Sequence, residues 1–155
     1  MDTKIRLLTK KDIPEVARII LETKAGLNKD EIEKLLHLSL KKGVSFLNPD
    51  YYVLALDEKP VGISGLYYDY EDPKDILWMD YFAVLSKFQR HGFGTLMLEN
   101  LEKVCREKKV KRLCVFAETD QAVSFYEKNG FKIFGRLEDY YGRGRPRVWL
   151  SKSII

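Results

Sequence analysis

The chain is poor in the residues that small proteins use as staples. It holds two cysteines, Cys105 and Cys114, which form neither a CxxC pair nor a disulfide framework. Two histidines, His37 and His91, are too few for a His-rich centre, so no metal is expected. No apolar run approaches the ~18–20 residues of a bilayer span, so no membrane partner is expected. The start, Met1-Asp2-Thr3-Lys4, lacks the charged-then-apolar build of a signal peptide. These absences predict a soluble protein of a reducing compartment, the cytoplasm. A one-sided charge is missing too: 27 Lys+Arg oppose 23 Asp+Glu, a net +4. Nucleic-acid binders usually gather basic residues on one face or stripe. Here the signs are mixed along most of the chain, and no nucleic-acid partner is expected.

What is present suits one domain over residues 1–155. The chain is 45% hydrophobic, too apolar for disorder, and long enough to bury a core without disulfides or metal. Ile5–Leu8 reads as a strand, and Thr9 with Asp12 as a capping-box-like helix start. Ile13, Val16, Ala17, Ile19 and Ile20 follow at helical spacing to about Lys24, and Gly26 ends the run. A second helix is expected over Asp30–Lys42, with leucines around His37 and a stop at Gly43. His37 reads as a surface or core residue rather than a ligand.

Asn48-Pro49-Asp50 is turn chemistry, after which the period becomes strand-like. Tyr51–Leu56 and Val61–Tyr68 read as a hairpin, and Leu77–Val84 as a third strand. A long amphipathic helix over Gly92–Lys108 is expected to bury Phe93, Leu96, Met97, Leu101, Val104 and Cys105. Strand Leu113–Ala117, helix Asp120–Lys128, strand Lys132–Leu137, a Gly/Arg-rich loop and strand Val148–Leu150 complete the pattern. Close alternation of helices and strands indicates an α/β or α+β class with a mixed sheet.

Two stretches depart from charge balance. Between Tyr67 and Trp78, Asp69, Glu71, Asp72 and Asp75 oppose only Lys74. From Lys132 to Lys152, Lys132, Arg136, Arg143, Arg145, Arg147 and Lys152 oppose Glu138 and Asp139.

The main chemical signal is Ser86-Lys87-Phe88-Gln89-Arg90-His91-Gly92-Phe93-Gly94-Thr95, set between an apolar strand and a long helix. Two glycines let a ligand approach the backbone, the helix start offers unpaired N–H groups, and Arg90 adds a charge. That suits a pyrophosphate. It is not a Walker A loop, since no Gly-Lys-Ser/Thr follows, and GxGxxG would need glycine at Met97. A tight turn made only for packing would carry the same pattern.

YFAVLSKFQRHGFGTLML resembles the acetyl-CoA-binding motif of the GNAT family of N-acetyltransferases, Q/R-x-x-G-x-G/A after a strand ending in hydrophobic-Ala-Val. About thirty residues on, Glu118-Thr119-Asp120-Gln121-Ala122-Val123-Ser124-Phe125-Tyr126-Glu127-Lys128-Asn129-Gly130-Phe131 resembles a second motif of that family. Motif order and spacing agree over essentially the whole chain. The resemblance implies the GNAT fold, a mostly antiparallel sheet of about six or seven strands flanked by about four helices. It implies acetyl-CoA as cosubstrate and direct transfer to a primary amine, without a covalent enzyme intermediate.

Carried over residue by residue, the resemblance gives Phe82, Ala83 and Val84 the acetyl and pantetheine arm. It places the pyrophosphate on the backbone N–H groups of Arg90, His91, Gly92, Phe93, Gly94 and Thr95, with Gln89 and Arg90 at the polar positions of the signature. Tyr126 takes the place of the tyrosine that protonates the leaving thiolate, and Ala83 or Val84 N–H that of the oxyanion donor. A core aromatic would read the same at Tyr126. Relatives that acetylate protein N-termini often carry Glu or His where Cys114 stands, and a thiol is a poor base there. Asp80 is the better candidate base, read by period two onto the strand face of Phe82 and Val84. An ordinary strand-end carboxylate, or a water chain in place of a base, remains open. Thr119 replaces a frequent Asn contact to CoA and can N-cap the short helix.

Tyr140 and Tyr141, in Asp139-Tyr140-Tyr141-Gly142-Arg143-Gly144, resemble an acceptor loop of N-terminal acetylases and are candidate substrate-binding residues. Arg143, Arg145 and Arg147 suit a carboxylate or phosphate, or form a solvated loop. The acidic Asp69–Asp75 turn suits a cation such as a polyamine. The leading reading is an acetyl-CoA-dependent N-acetyltransferase for a small-molecule or peptide amine. The alternative is a non-catalytic acyl-CoA-binding module. Relatives often pair through their C-terminal strands, so a homodimer is possible.

Overall fold

The chain opens on the edge of a sheet. β1 (Thr3–Leu7) pairs antiparallel with β2 (Asp50–Leu56), Ile5 opposite Leu54. A computed structural model describes residues 1–24, 26–42 and 49–154; the expected stop at Gly43 and turn residue Asn48 lie outside them. β1 ends one residue before Leu8, whose N–H still donates to Tyr51 O at 2.9 Å.

The expected capping box is present. Thr9 donates to Asp12 Oδ2 through its N–H (2.8 Å) and its hydroxyl (2.9 Å), and Arg6 grips both carboxylate oxygens at 2.7 and 2.9 Å. A 3₁₀ turn over Lys10–Asp12 then leads into α1 (Ile13–Thr23). Burial pushes the Asp12 carboxyl up, but the Arg6 and Thr9 bonds outweigh it and hold it below the usual range. A carboxylate so lowered contributes stability above its unfolded value and loses it as pH falls through the folded one. Asp12→Ala is therefore expected to cost about 2–4 kcal/mol at neutral pH, because it strands Arg6 and Thr9. Part of the acid sensitivity below about pH 4 should go with it. Denaturant melts at neutral and acid pH check both.

α2 (Lys29–Leu40) starts on Asn28, whose Oδ1 accepts from the N–H groups of Asp30 and Glu31. Only one stripe of α2 is buried, through Ile32, Leu36 and Ser39, while Leu35, His37 and Leu40 are exposed. β2 turns into β3 (Lys59–Tyr67) through Asp57 and Glu58, both left-handed, the two-residue turn whose twist suits a hairpin. β4 (Ile76–Val84), α3 (Phe93–Glu107), β5 (Arg112–Ala117), α4 (Asp120–Lys128), β6 (Lys132–Leu137) and β7 (Arg147–Ser153) follow.

The seven strands run in the order β1-β2-β3-β4-β5-β7-β6, antiparallel except for β4 beside β5. α1 and α2 cover one face, with Ile13, Val16, Ile20, Ile32 and Leu36 against Val53 and Ile63. α3 and α4 cover the other, with Leu98, Leu101, Val104, Val123 and Tyr126 against Leu66, Leu77, Met79, Leu113 and Val115. On α3 the buried stripe includes Leu98, whereas Leu96, expected inside, is 38% exposed. Among the described residues no helix is long and apolar enough to cross a membrane.

Candidate active site

The site begins where the sheet comes apart. β4 and β5 pair over three positions only: Ile76 with Arg112, Leu77 with Leu113 and Trp78 with Cys114. Beyond them the strands splay. On its other side β4 stays paired with β3, but the register slips between Ile63 and Gly65. Ile63 faces Ala83 and Gly65 faces Asp80, so Tyr81 and Phe82 together oppose Ser64, a β-bulge in β4.

The bulge sorts the β4 residues between the faces. Paired residues share a face, so Asp80 and Ala83 lie with Gly65 and Ile63, while Met79 and Val84 lie with Leu66 and Gly62. The period-two reading that put Asp80 on the face of Phe82 and Val84 is therefore wrong. One extra residue between them breaks the alternation. Phe82 packs against Phe125 and Tyr126 of α4, ring centroids 5.9 and 6.1 Å away. Asp80 instead accepts a hydrogen bond from the Tyr51 hydroxyl.

The backbone of Val84 points into the splay. Leu85 N–H donates to Val61 O at 2.9 Å, and Val84 is opposite Gly62. Alternation along an antiparallel ladder then turns the Val84 N–H and C=O away from β3 and those of Ala83 toward it. Gln89 Nε2 donates to Val84 O at 2.9 Å, tying the following turn to the strand end. Of the two candidate oxyanion donors, Val84 N–H is the one off the ladder.

The turn itself is anchored at both ends. Glu22 of α1 accepts from Ser86 N–H (3.0 Å) and Ser86 Oγ (2.6 Å), and these bonds lower its carboxyl. His91 Nδ1 faces two carbonyls, Phe88 O at 3.2 Å and Gln89 O at 2.8 Å, so Nδ1 is the protonated nitrogen. Arg90 (φ 63°) and Gly92 (φ 82°) are both left-handed. α3 has no side-chain cap, and its first helical bond runs from Leu96 N–H to Gly92 O. The N–H groups of Phe93, Gly94 and Thr95 thus have no intrahelical acceptor, an arrangement that suits an anion.

A cleft of about 660 Å³ joins these parts. Of the sequence candidates, Phe82, Ala83, Val84, Gln89, Arg90, Gly92, Gly94, Thr95, Thr119 and Tyr126 line it. His91 and Phe93 do not; their rings pack on each other at 6.2 Å. Thr23, Gln121, Ala122, Ser124, Phe125 and Lys128 line it as well. The α4 residues among these lay within the second motif but had no role assigned, and Thr23 carried no signal. Thr119 caps α4 as expected, its Oγ1 accepting from Ala122 N–H at 3.1 Å. Tyr126 is buried among Phe82, Phe125 and Phe131, and burial pushes its phenol up. It therefore stays protonated at neutral pH, as a hydrogen-bond donor.

Asp80, Tyr140 and Tyr141 do not line this cleft. Around Asp80, burial and then its negative charge push the phenols of Tyr51, Tyr67 and Tyr81 up. Gly65 makes the Tyr51–Asp80 bond possible, since a Cβ there would lie 2.6 Å from a Tyr51 ring carbon. Gly65→Ala is expected to displace Tyr51, cost about 1–3 kcal/mol of stability and lower turnover. Thermal melts with steady-state rates check this.

Tyr140 and Tyr141 stack edge-on at 4.8 Å beside Arg147, and Tyr140 meets Trp149 at 6.1 Å. Arg145 pairs with Glu118 at 3.3 Å. Cys114 is a buried core residue, its thiol pushed up to about 11 by burial. In the acidic turn, Asp69 Oδ1 accepts from Glu71 N–H and Asp72 from the Trp78 indole at 2.7 Å, at the end where β4 and β5 are still paired. Among the described residues no cluster of three His, Cys, Asp or Glu side chains is placed to hold a metal.

These residues fit a nucleotide-linked thioester. The α3 start is uncapped, as an anion site requires, Gly92 leaves open space where a Cβ would stand, and Val84 N–H is off the β3 ladder. The comparisons with known proteins agree with the family resemblance. A family described as the acetyltransferase (GNAT) family matches residues 15–131. CgeE of Bacillus subtilis, an uncharacterized N-acetyltransferase, is 25% identical over 116 residues, 70% of this chain and 44% of its own length. YxbD of the same organism is 31% identical over 85 residues, 54% of this chain and 50% of its own length. These matches thus reach only half or less of those curated relatives. Among solved structures, Ard1 from Thermoplasma volcanium superposes with a TM-score of 0.82 at 24% identity, covering 100% of this chain and 99% of that one. An acetyltransferase of the GNAT family from Streptococcus pneumoniae gives 0.77 at 23% identity, covering 99% of this chain and all of that one. A splayed β4–β5 pair, an uncapped glycine turn and a family match over most of the length point one way: the chain belongs to the GNAT acetyltransferase family.

Proposed function

We propose that residues 1–155 act as one N-acetyltransferase domain that moves an acetyl group from acetyl-CoA directly to a primary amine. The observation that carries this reading is the splay, which brings Val84 N–H, the α3 start and the Tyr126 hydroxyl to one cleft. Backbone N–H groups of Arg90 to Thr95 and the Arg90 charge hold the pyrophosphate. Val84 N–H polarises the thioester carbonyl and stabilises the oxygen as negative charge develops there.

An acceptor amine arrives as an ammonium, since a lysine-like amine has a pKa near ~10.4. Asp80, on the face away from α4, takes one proton and passes it to solvent. The neutral nitrogen forms the C–N bond while the C–S bond breaks. Tyr126 donates a hydrogen bond to sulfur as its charge grows. A free thiol, near pKa ~8.5, is a stronger acid than this buried phenol, so Tyr126 ends the turnover protonated. The second amine proton ends on the thiol. The products are the amide, the thiol and one released proton, and no covalent enzyme intermediate is needed.

Thiol release from acetyl-CoA across a panel of primary amines tests the reading. Saturable, amine-dependent release is expected. Tight acetyl-CoA binding with no release on any amine would instead favour a non-catalytic acyl-CoA-binding module.

A further inference from the structure

Two opposite charges stand across the splay, and neither has an ion-pair partner among the described residues. Among the described residues Asp80 is held only by the Tyr51 hydroxyl, and Arg147 bonds only the Tyr140 hydroxyl, Nη1 to oxygen at 3.1 Å. Trp78 and Cys114 form the last β4–β5 pair, so Asp80 and Phe116, each two residues on, stand level on the same face. The Arg147 guanidinium lies 3.7 Å from the centre of the Phe116 ring. Trp149 and Tyr140 enclose it further, at 5.2 and 4.9 Å.

Aromatic rings satisfy the faces of a guanidinium and leave its edge for an acceptor in plane. The Arg147 Nε–H is buried and has no acceptor among the described residues. Buried donors are nearly always paired, and a planar guanidinium is matched by a carboxylate. Tyr67 lies within reach of both charges: burial and Asp80 raise its phenol, to about 12, while Arg147 opposes them. Arg145, by contrast, is already paired with Glu118.

We propose that the acceptor is a zwitterion of the amino-acid type, its amine directed to Asp80 and its carboxylate to Arg147 across the β4–β5 splay. The proposal rests on the acetyl-transfer reading and names the substrate class for it. The donor enters along α3 and α4, and the acceptor from the opposite face of the sheet. The bulge after Asp80 is what gives the two substrates different faces.

The test compares amino acids with the amines that differ only by lacking the carboxylate, such as phenylalanine with phenethylamine and lysine with cadaverine. Each is titrated calorimetrically into the CoA complex of the full chain and assayed for thiol release with acetyl-CoA. The amino acid of a pair is expected to bind about 30- to 1,000-fold more tightly than its amine, as for a desolvated charge pair. Arg147→Met should erase that preference and Arg147→Lys restore part of it, both retaining acetyl-CoA affinity. Equal binding of acid and amine by the wild type, or binding of no amino acid at millimolar concentration, overturns the proposal. So does a preference that survives in Arg147→Met. If that variant does not fold, the wild-type ratio decides alone. Thiol release reports separately on acetyl transfer, so amines turned over without any carboxylate preference would leave that reading standing.

Discussion

Gly92→Val is expected to reduce acetyl-CoA affinity by at least about 100-fold through steric block of the backbone, and to lower stability separately through backbone strain. Gly92 stands at φ 82°, a conformation that costs an L-residue roughly 1–2 kcal/mol and a β-branched one more. Its missing Cβ faces open space rather than protein, at the start of an uncapped helix that lines the cleft. A side chain there would stand where the phosphates must approach the backbone. Gly92→Ala carries the backbone strain with only one added carbon and should fall between the two. Because, among the described residues, no atom beyond its chain neighbours lies within 4 Å of the new Cβ, the melting temperature should drop only by the strain. Calorimetric titration with acetyl-CoA beside thermal melts separates affinity from stability.

Tyr126→Phe is expected to lower kcat by about 100-fold or more while acetyl-CoA affinity changes little. The ring sits among Phe82, Phe125 and Phe131, contacts that phenylalanine keeps. Among the described residues no protein group bonds the Tyr126 hydroxyl, so its removal strands no partner and stability should hold. In the proposed mechanism, what disappears is the hydrogen-bond donor to the departing sulfur. A thioester with a more acidic leaving thiol needs that donor less, so the defect should shrink with such a substrate. Unchanged kcat would remove Tyr126 from the role of hydrogen-bond donor to sulfur and leave it as a core aromatic.

Much of the cleft lining was legible because it is local in sequence. Thr119 followed by Asp120–Lys128 marks a capped helix, and α4 spans those residues. The strand, turn and helix around Gln89–Thr95 lie in one segment, and eight of the ten residues from Phe82 to Val84 and from Gln89 to Thr95, all but His91 and Phe93, line the cleft together with Thr119 and Tyr126. The arrangement of Asp80 and Arg147 across the splay was not legible, because it is made by pairing. An inserted residue leaves no trace in composition, so period two carried Asp80 to the wrong face. Arg147 reads as one arginine of a basic loop until β5 and β7 pair and set it on Phe116. Net charge is similarly coarse. What distinguishes Arg147 from Arg145 is a missing carboxylate, which no sum over the chain reveals.

A crystal structure with acetyl-CoA tests the central claim most directly. The pyrophosphate oxygens are predicted to lie within hydrogen-bond distance of backbone nitrogens between Arg90 and Thr95. The thioester carbonyl is predicted to accept from Val84 N–H, with sulfur beside the Tyr126 hydroxyl. A pyrophosphate bound away from the α3 start, or a thioester outside the β4–β5 splay, would contradict it.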